Sequence, residues 1–155
     1  MSYQCEINDY QVRPTLVVRT HVAVQDLPQT LGSAFGAVIA WLGQAGQQPA
    51  GPPFVAYHNM DMQALDIEAG FPVFAAMDGQ DDVQAGEIPG GKYASCLHIG
   101  PYDEVKAAYE ALGQYSAQHG YQPTGVSYEF YLDDRETTPP QDLQTQVLFP
   151  LHATS

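Results

Sequence analysis

Between residues 30 and 45 the apolar positions recur at helical spacing: Leu31, Ala34, Phe35, Val38, Trp41 and Leu42 follow an i, i+3, i+4, i+7 rhythm, which predicts a helix with one buried face. Gly32, Gly36 and Gly43 interrupt it, each costing about 1 kcal/mol against Ala; close packing on a sheet would account for small residues there. Before it, residues 10–24 are rich in β-formers and predict a strand. After it, residues 46–53 are a Gly- and Pro-dense loop, followed by a short strand over 54–59 and a second over 64–77, kinked at Gly70 or Pro72. The order then repeats. A turn at Pro89-Gly90-Gly91 leads into a strand from Lys92 to Ile99. Pro101 starts a helix over 102–118, with Val105, Ala108, Tyr109, Leu112 and Tyr115 on one face. Strands over 125–132 and 143–151 close the chain, joined by a polar turn over 133–140.

The repetition extends to residue identity. Gly46 to Tyr57 and Gly120 to Tyr131 both read G-x-Q-P-x-G-x-x-aromatic-x-x-Tyr. His21-Val22-Ala23 matches His98-Ile99-Gly100, and Phe71-Pro72-Val73 matches Phe149-Pro150-Leu151. A solenoid needs more and shorter copies. The pattern instead predicts a single α+β domain over 1–155, built from two pseudo-symmetric βαββ halves, about 8–77 and 86–152, joined by the polar run 78–85. The expected fold is a curved antiparallel sheet with a central cleft and two helices on the opposite face.

The repeat breaks at one chemically important position. Glu129 occupies the place of Val55 in the first copy. Packing alone would tolerate an apolar residue in both, so a carboxylate in one copy marks a candidate site. Strand alternation puts Tyr128, Phe130 and Leu132 on one face and Glu129 and Tyr131 on the other. The more apolar set is expected under the helix, which leaves Glu129 and Tyr131 facing the cleft. By the same parity Val55 and Tyr57 share a face, Ser95, Leu97 and Ile99 face the helix, and Ala94, Cys96 and His98 face the cleft. Trp41 and Tyr93 are candidate pocket walls.

Charge narrows the partners. The chain has 155 residues, 45% of them apolar, and a net charge of −13; Arg13, Arg19, Lys92, Lys106 and Arg135 are its only fixed cations. A folded domain with a real core is expected, and neither a phosphate backbone nor an anionic membrane suits this charge. No apolar run is long enough to span a bilayer as a helix, and no secretory signal is read at the start, so a cytoplasmic protein is expected. Cys5 and Cys96 have no metal or redox spacing and read as two unpaired thiols. The five histidines show no metal-binding pattern, and no nucleophile elbow, P-loop or dinucleotide fingerprint is present. Neither a metal nor another cofactor is expected.

Gly91-Lys92-Tyr93-Ala94, His98-Ile99-Gly100-Pro101-Tyr102, Gly120, Gly125, Tyr128-Glu129-Phe130-Tyr131-Leu132 and residues 145–150 together resemble the GyrI-like small-molecule-binding family, also called the AraC-type effector-binding domain. The resemblance implies two βαββ units about a pseudo-twofold axis and a cleft that takes hydrophobic, often cationic aromatic, compounds. It also implies a cleft position for the glutamate of the Y-E-x-Y strand, here Glu129. Many members carry a DNA-binding helix-turn-helix; this chain resembles the stand-alone form. Some stand-alone relatives inhibit DNA gyrase, and others resemble hydrolases that open cyclopropane rings of alkylating toxins. Together with the strand parity above, the candidate ligand set is Glu129, Tyr131, Tyr57, His98, Trp41 and Tyr93, of which the resemblance itself implies Glu129. A hydrolase would use Glu129 to activate water and Tyr131 or Tyr93 to protonate the leaving group. A gyrase partner would use the acidic surface, though Asp61, Asp66, Glu68, Asp78, Asp81 and Asp82 are scattered along the chain.

Overall fold

The structure is a computed structural model that describes residues 3–134 and 137–152. Arg135 and Glu136, inside the turn expected over 133–140, lie outside the described residues. The strands are β1 (Cys5–Tyr10), β2 (Arg13–Val22), β3 (Phe54–Tyr57), β4 (Leu65–Pro72), β5 (Gln84–Ile88), β6 (Gly91–Ile99), β7 (Ser127–Tyr131) and β8 (Gln144–Pro150). The helices are α1 (Leu27–Gln44) and α2 (Lys106–Gln118). The pairings between these strands are antiparallel, so the α+β expectation holds. Contacts divide the chain into two units: Gln11–Gly90, and the described residues up to Tyr10 together with those from Gly91 onward.

Each unit is a βαββ motif with an added edge strand. In the first, the pairings give the order β5-β2-β4-β3, and α1 packs on the sheet. In the second they give β1-β6-β8-β7 with α2. The edge strands β1 (CEINDY) and β5 (QAGEI) were not legible as separate strands. They contain few β-branched residues, and pairing with a neighbour supplies what propensity does not. Tyr10 therefore ends β1 rather than starting β2. The helix expected from Pro101 begins instead as a 3-10 turn, Tyr102–Glu104, before α2.

The sequence repeat has local physical causes. Gly46 and Gly120 both adopt positive φ, at 71° and 80°. Each ends its helix in the same way: Gln47 N–H donates to Leu42 O at 2.8 Å, and Tyr121 N–H to Ser116 O at 2.9 Å. These are six-to-one helix caps that need a left-handed residue, which glycine adopts without a Cβ penalty. The loops that follow are tied down equivalently. Ala50 N–H donates to Pro72 O at 2.8 Å, and Thr124 N–H to Pro150 O at 2.9 Å.

In the first unit, α1 buries Leu27, Leu31, Ala34, Val38 and Leu42. Val38 and Leu42 pack with Leu16 of β2 and with Phe71 and Val73 at the end of β4. In the second, α2 buries only Ala108, Leu112 and Ser116, against Ala94, Cys96, Val147 and Leu151.

The face of β2 and β4 opposite α1 carries a forked ion pair. Arg19 Nε and Nη2 donate to the two oxygens of Asp66 at 3.1 and 2.9 Å. Hydrogen bonding from Arg19 holds the Asp66 carboxyl below its ordinary range. A carboxyl whose pKa is lowered on folding adds stability above its unfolded pKa, near 3.9, and loses it as pH falls through the folded value. Arg19 is half exposed, so screening limits the effect. Asp66→Asn is expected to cost about 0.5–1 kcal/mol in urea unfolding at neutral pH and low salt, with the difference shrinking as pH falls below the unfolded value near 3.9.

Candidate functional site

Glu129 lies in the middle of β7 and is 2% exposed. Its carboxylate collects three phenol hydroxyls. Tyr102 donates to Oε1 at 2.6 Å, and Tyr131 donates to the same oxygen at 2.8 Å. Tyr109 makes a short hydrogen bond to Oε2, and its hydroxyl oxygen also lies 3.3 Å from Ser127 Oγ. Among the described residues, none of the ion pairs involves Glu129.

Three elements build this cluster. Tyr131 follows Glu129 by two residues, so strand alternation puts both on one face. Tyr102 comes from the 3-10 turn and Tyr109 from the first turn of α2, seven residues apart and so on one side of a helical path. The rings of Tyr102 and Tyr131 meet edge-on, with centroids 6.0 Å apart.

The face assignment from the sequence needs correction. The residues were grouped correctly: Glu129 lies opposite Val147, and Val147 opposite Cys96, in one row across β7, β8 and β6. That row lies on the side of α2. Cys96 and Val147 pack with Ala108 and Leu112, the Cys96 S–H lies 3.7 Å from Ala108 O as donor, and Tyr109 reaches Glu129 directly. Apolarity does not distinguish the two faces here because every residue of β7 is buried. Tyr128 and Phe130 are as inaccessible as Glu129, so the apolar face does not mark the helix side of a strand buried on both faces.

The other candidates fall in different places. His98, 2% exposed, serves as a strut. Its Nε2 lies 2.9 Å from Pro101 O, and its Nδ1 lies 3.0 Å from the Tyr3 hydroxyl. The Nε2–H therefore donates to the carbonyl just before the turn that carries Tyr102, while Nδ1 accepts from Tyr3. Tyr93 points to the opposite face of β6 and packs edge-on against Tyr10 and Tyr128. Trp41 and Tyr57 belong to the first unit. Trp41 packs beside the core of α1 and donates its indole N–H to Asp78 O at 3.0 Å; Tyr57 is buried on β3. Val55, where the repeat lacks the carboxylate, is a fully buried core residue. Tyr102 and Tyr109 were not singled out from the sequence. Their spacing of seven, with Tyr109 on the predicted buried face of α2, was the available signal.

Tyr109→Phe leaves a buried carboxylate oxygen short of a donor, which costs about 1–3 kcal/mol. The expected result is a lower urea midpoint with an unchanged m-value. A midpoint equal to that of wild type would mean that water replaces the hydroxyl.

Solved structures share the whole fold. The C-terminal domain of EcmrR is 21% identical and superposes with a TM-score of 0.83, covering 99% of this chain and 100% of that domain. In the EcmrR–DNA complex the chain spans 59% of the EcmrR polypeptide. A hydrolase from Listeria innocua is 15% identical, with a TM-score of 0.69, covering 97% of this chain and 93% of that one. SAV2435 bound to tetraphenylphosphonium is 14% identical, with a TM-score of 0.66, covering 98% and 94%. No curated protein matches the sequence. Residues 4–152 match the GyrI-like small molecule binding domain; the chain belongs to that family.

Proposed function

We propose that the protein is a cytoplasmic binder of amphipathic, cationic aromatic compounds, which it sequesters or senses through Glu129. The observation that carries this reading is a carboxylate 2% exposed, held by three tyrosine hydroxyls and by no ion pair among the described residues. A buried acid without a counter-charge is costly, and a cation that enters supplies the missing charge. The phenol rings add cation–π contact of about 0.5–2 kcal/mol each. Tyr131 shares a strand with Glu129, so an entering cation displaces Tyr102 or Tyr109, which come from the turn and from α2. A relative of the same fold was solved with tetraphenylphosphonium, a ligand of this chemical class.

The test is fluorescence titration with a rhodamine cation and competition by tetraphenylphosphonium. Saturable binding of both at one site is expected; failure of a panel of hydrophobic cations to bind would overturn the reading.

The same hydroxyls favour a second reading, a hydrolase of strained-ring electrophiles such as cyclopropane alkylators. With Tyr131 Oη 2.8 Å from Oε1, Glu129 would take a proton from water while the phenol returns one to the opened ring. Products followed by mass spectrometry decide it: turnover that survives Glu129→Gln excludes this mechanism. The charge of −13 supports a third reading, binding to DNA gyrase. It predicts gyrase inhibition in a supercoiling assay that is indifferent to Glu129 and suppressed by salt; no inhibition at low salt would exclude it.

A further inference from the structure

The two cysteines, separated by most of the sequence, face each other in space. Strand β1 runs antiparallel to β6 with Cys5 directly opposite Cys96. Residues paired in this way point to the same face, with Cα atoms about 4.5–5.5 Å apart, inside the span of about 4.4–6.8 Å that a disulfide requires. Both thiols are free, and each influences the ionisation of the other. Cys96 is buried, Cys5 is half-buried, and an open depression of about 580 Å³, lined by Tyr3, Gln4, Ser95 and Tyr115 among others, borders both.

We infer that Cys5 and Cys96 are a dithiol–disulfide pair, closed by a small disulfide such as oxidised glutathione into a staple between the edge strand β1 and β6. The more accessible Cys5 loses its proton and attacks one glutathione sulfur, breaking that S–S bond and releasing one glutathione, which takes up a proton. Cys96 then loses its proton and attacks the Cys5 sulfur of the mixed disulfide, expelling the second glutathione. Two protein S–H bonds are lost, two form on glutathione, and two electrons pass from protein to oxidant. Burial pushes the Cys5 thiol up and the Cys96 thiol to about 12. Both are protonated at neutral pH, so exchange is slow there and accelerates as pH rises.

The staple bears on the Glu129 cluster through backbone order. Tyr3 precedes Cys5 by two residues and His98 follows Cys96 by two; a side-chain hydrogen bond joins them beyond the cysteine pair. His98 in turn holds Pro101 O, ahead of Tyr102. A covalent link at the cysteines fixes the strand from which this strut starts.

The experiment incubates the reduced full chain with excess oxidised glutathione at about pH 8.5 and follows intact mass. Wild type is expected to lose about 2 Da as a monomer and to yield a linked peptide containing both cysteines. Cys96→Ser is expected to stop at a single glutathione adduct on Cys5, and Cys5→Ser to stay largely unmodified. Closing a loop of about 90 residues should raise Tm by about 5–10 °C, and reductant should reverse the rise. Two glutathione adducts on wild type, a disulfide-linked dimer, or two free thiols after prolonged oxidation would overturn the inference. So would a disulfide that forms but lowers Tm, since the native register would then not accommodate it.

Discussion

Glu129→Gln is expected to weaken binding of tetraphenylphosphonium by about 100-fold, equivalent to about 2.7 kcal/mol. The substitution keeps the shape of the side chain. The amide oxygen can still accept from Tyr102 and Tyr131, which now share Oε1, and the amide nitrogen can donate to the Tyr109 oxygen, which now donates to Oε2. The fold should therefore survive, and the charge is what is lost. Tetraphenylborate, of nearly the same size and opposite charge, is the control. Wild type should reject it, and Glu129→Gln should bind it more tightly than wild type does, because a buried like charge has been removed. Calorimetric titration of both ions against both proteins gives four affinities. If the substitution changes cation and anion affinity equally, the carboxylate shapes the site without supplying its charge selectivity, and the cation reading fails.

Gly70→Ala is expected to destabilise the protein by roughly 3–4 kcal/mol and to lower Tm by about 10 °C. Gly70 lies in β4 between Val17 of β2 and Phe54 of β3. A Cβ there would come 1.9 Å from Leu16 O and 2.8 Å from Val17 Cα. Both are backbone atoms of the neighbouring strand, so relief requires breaking the β2–β4 ladder. Gly32 in α1 is the contrast, where an added Cβ would meet no atom within 4 Å. Gly32→Ala should stabilise by about 0.5–1 kcal/mol through helix propensity and a less flexible unfolded chain. Thermal melts of the two variants should move in opposite directions. A Gly70→Ala protein melting within about 2 °C of wild type would show that the strands separate more easily than this packing implies.

The duplication, the order of strand, helix and hairpin in each half, and the asymmetry between Val55 and Glu129 are legible in the residues alone. These are local or pairwise features. Helical spacing marks α1 and α2, Gly46 and Gly120 are required by identical helix caps, and alternation along a strand fixes that Glu129 and Tyr131 share a face. Which face that is depends on how α2 docks on the sheet. Alternation gives parity but not sign, and on β7, buried on both sides, hydrophobicity does not supply the sign. The tyrosines that complete the Glu129 cluster required the docking of α2 and of the turn before it, which bring Tyr102 and Tyr109 to a glutamate 27 and 20 residues further along the chain. The edge strands β1 and β5 needed partners remote in sequence to become strands at all. The same long-range pairing set Cys5 against Cys96, a juxtaposition that residue spacing could not show because it depends on the register of two strands about ninety residues apart.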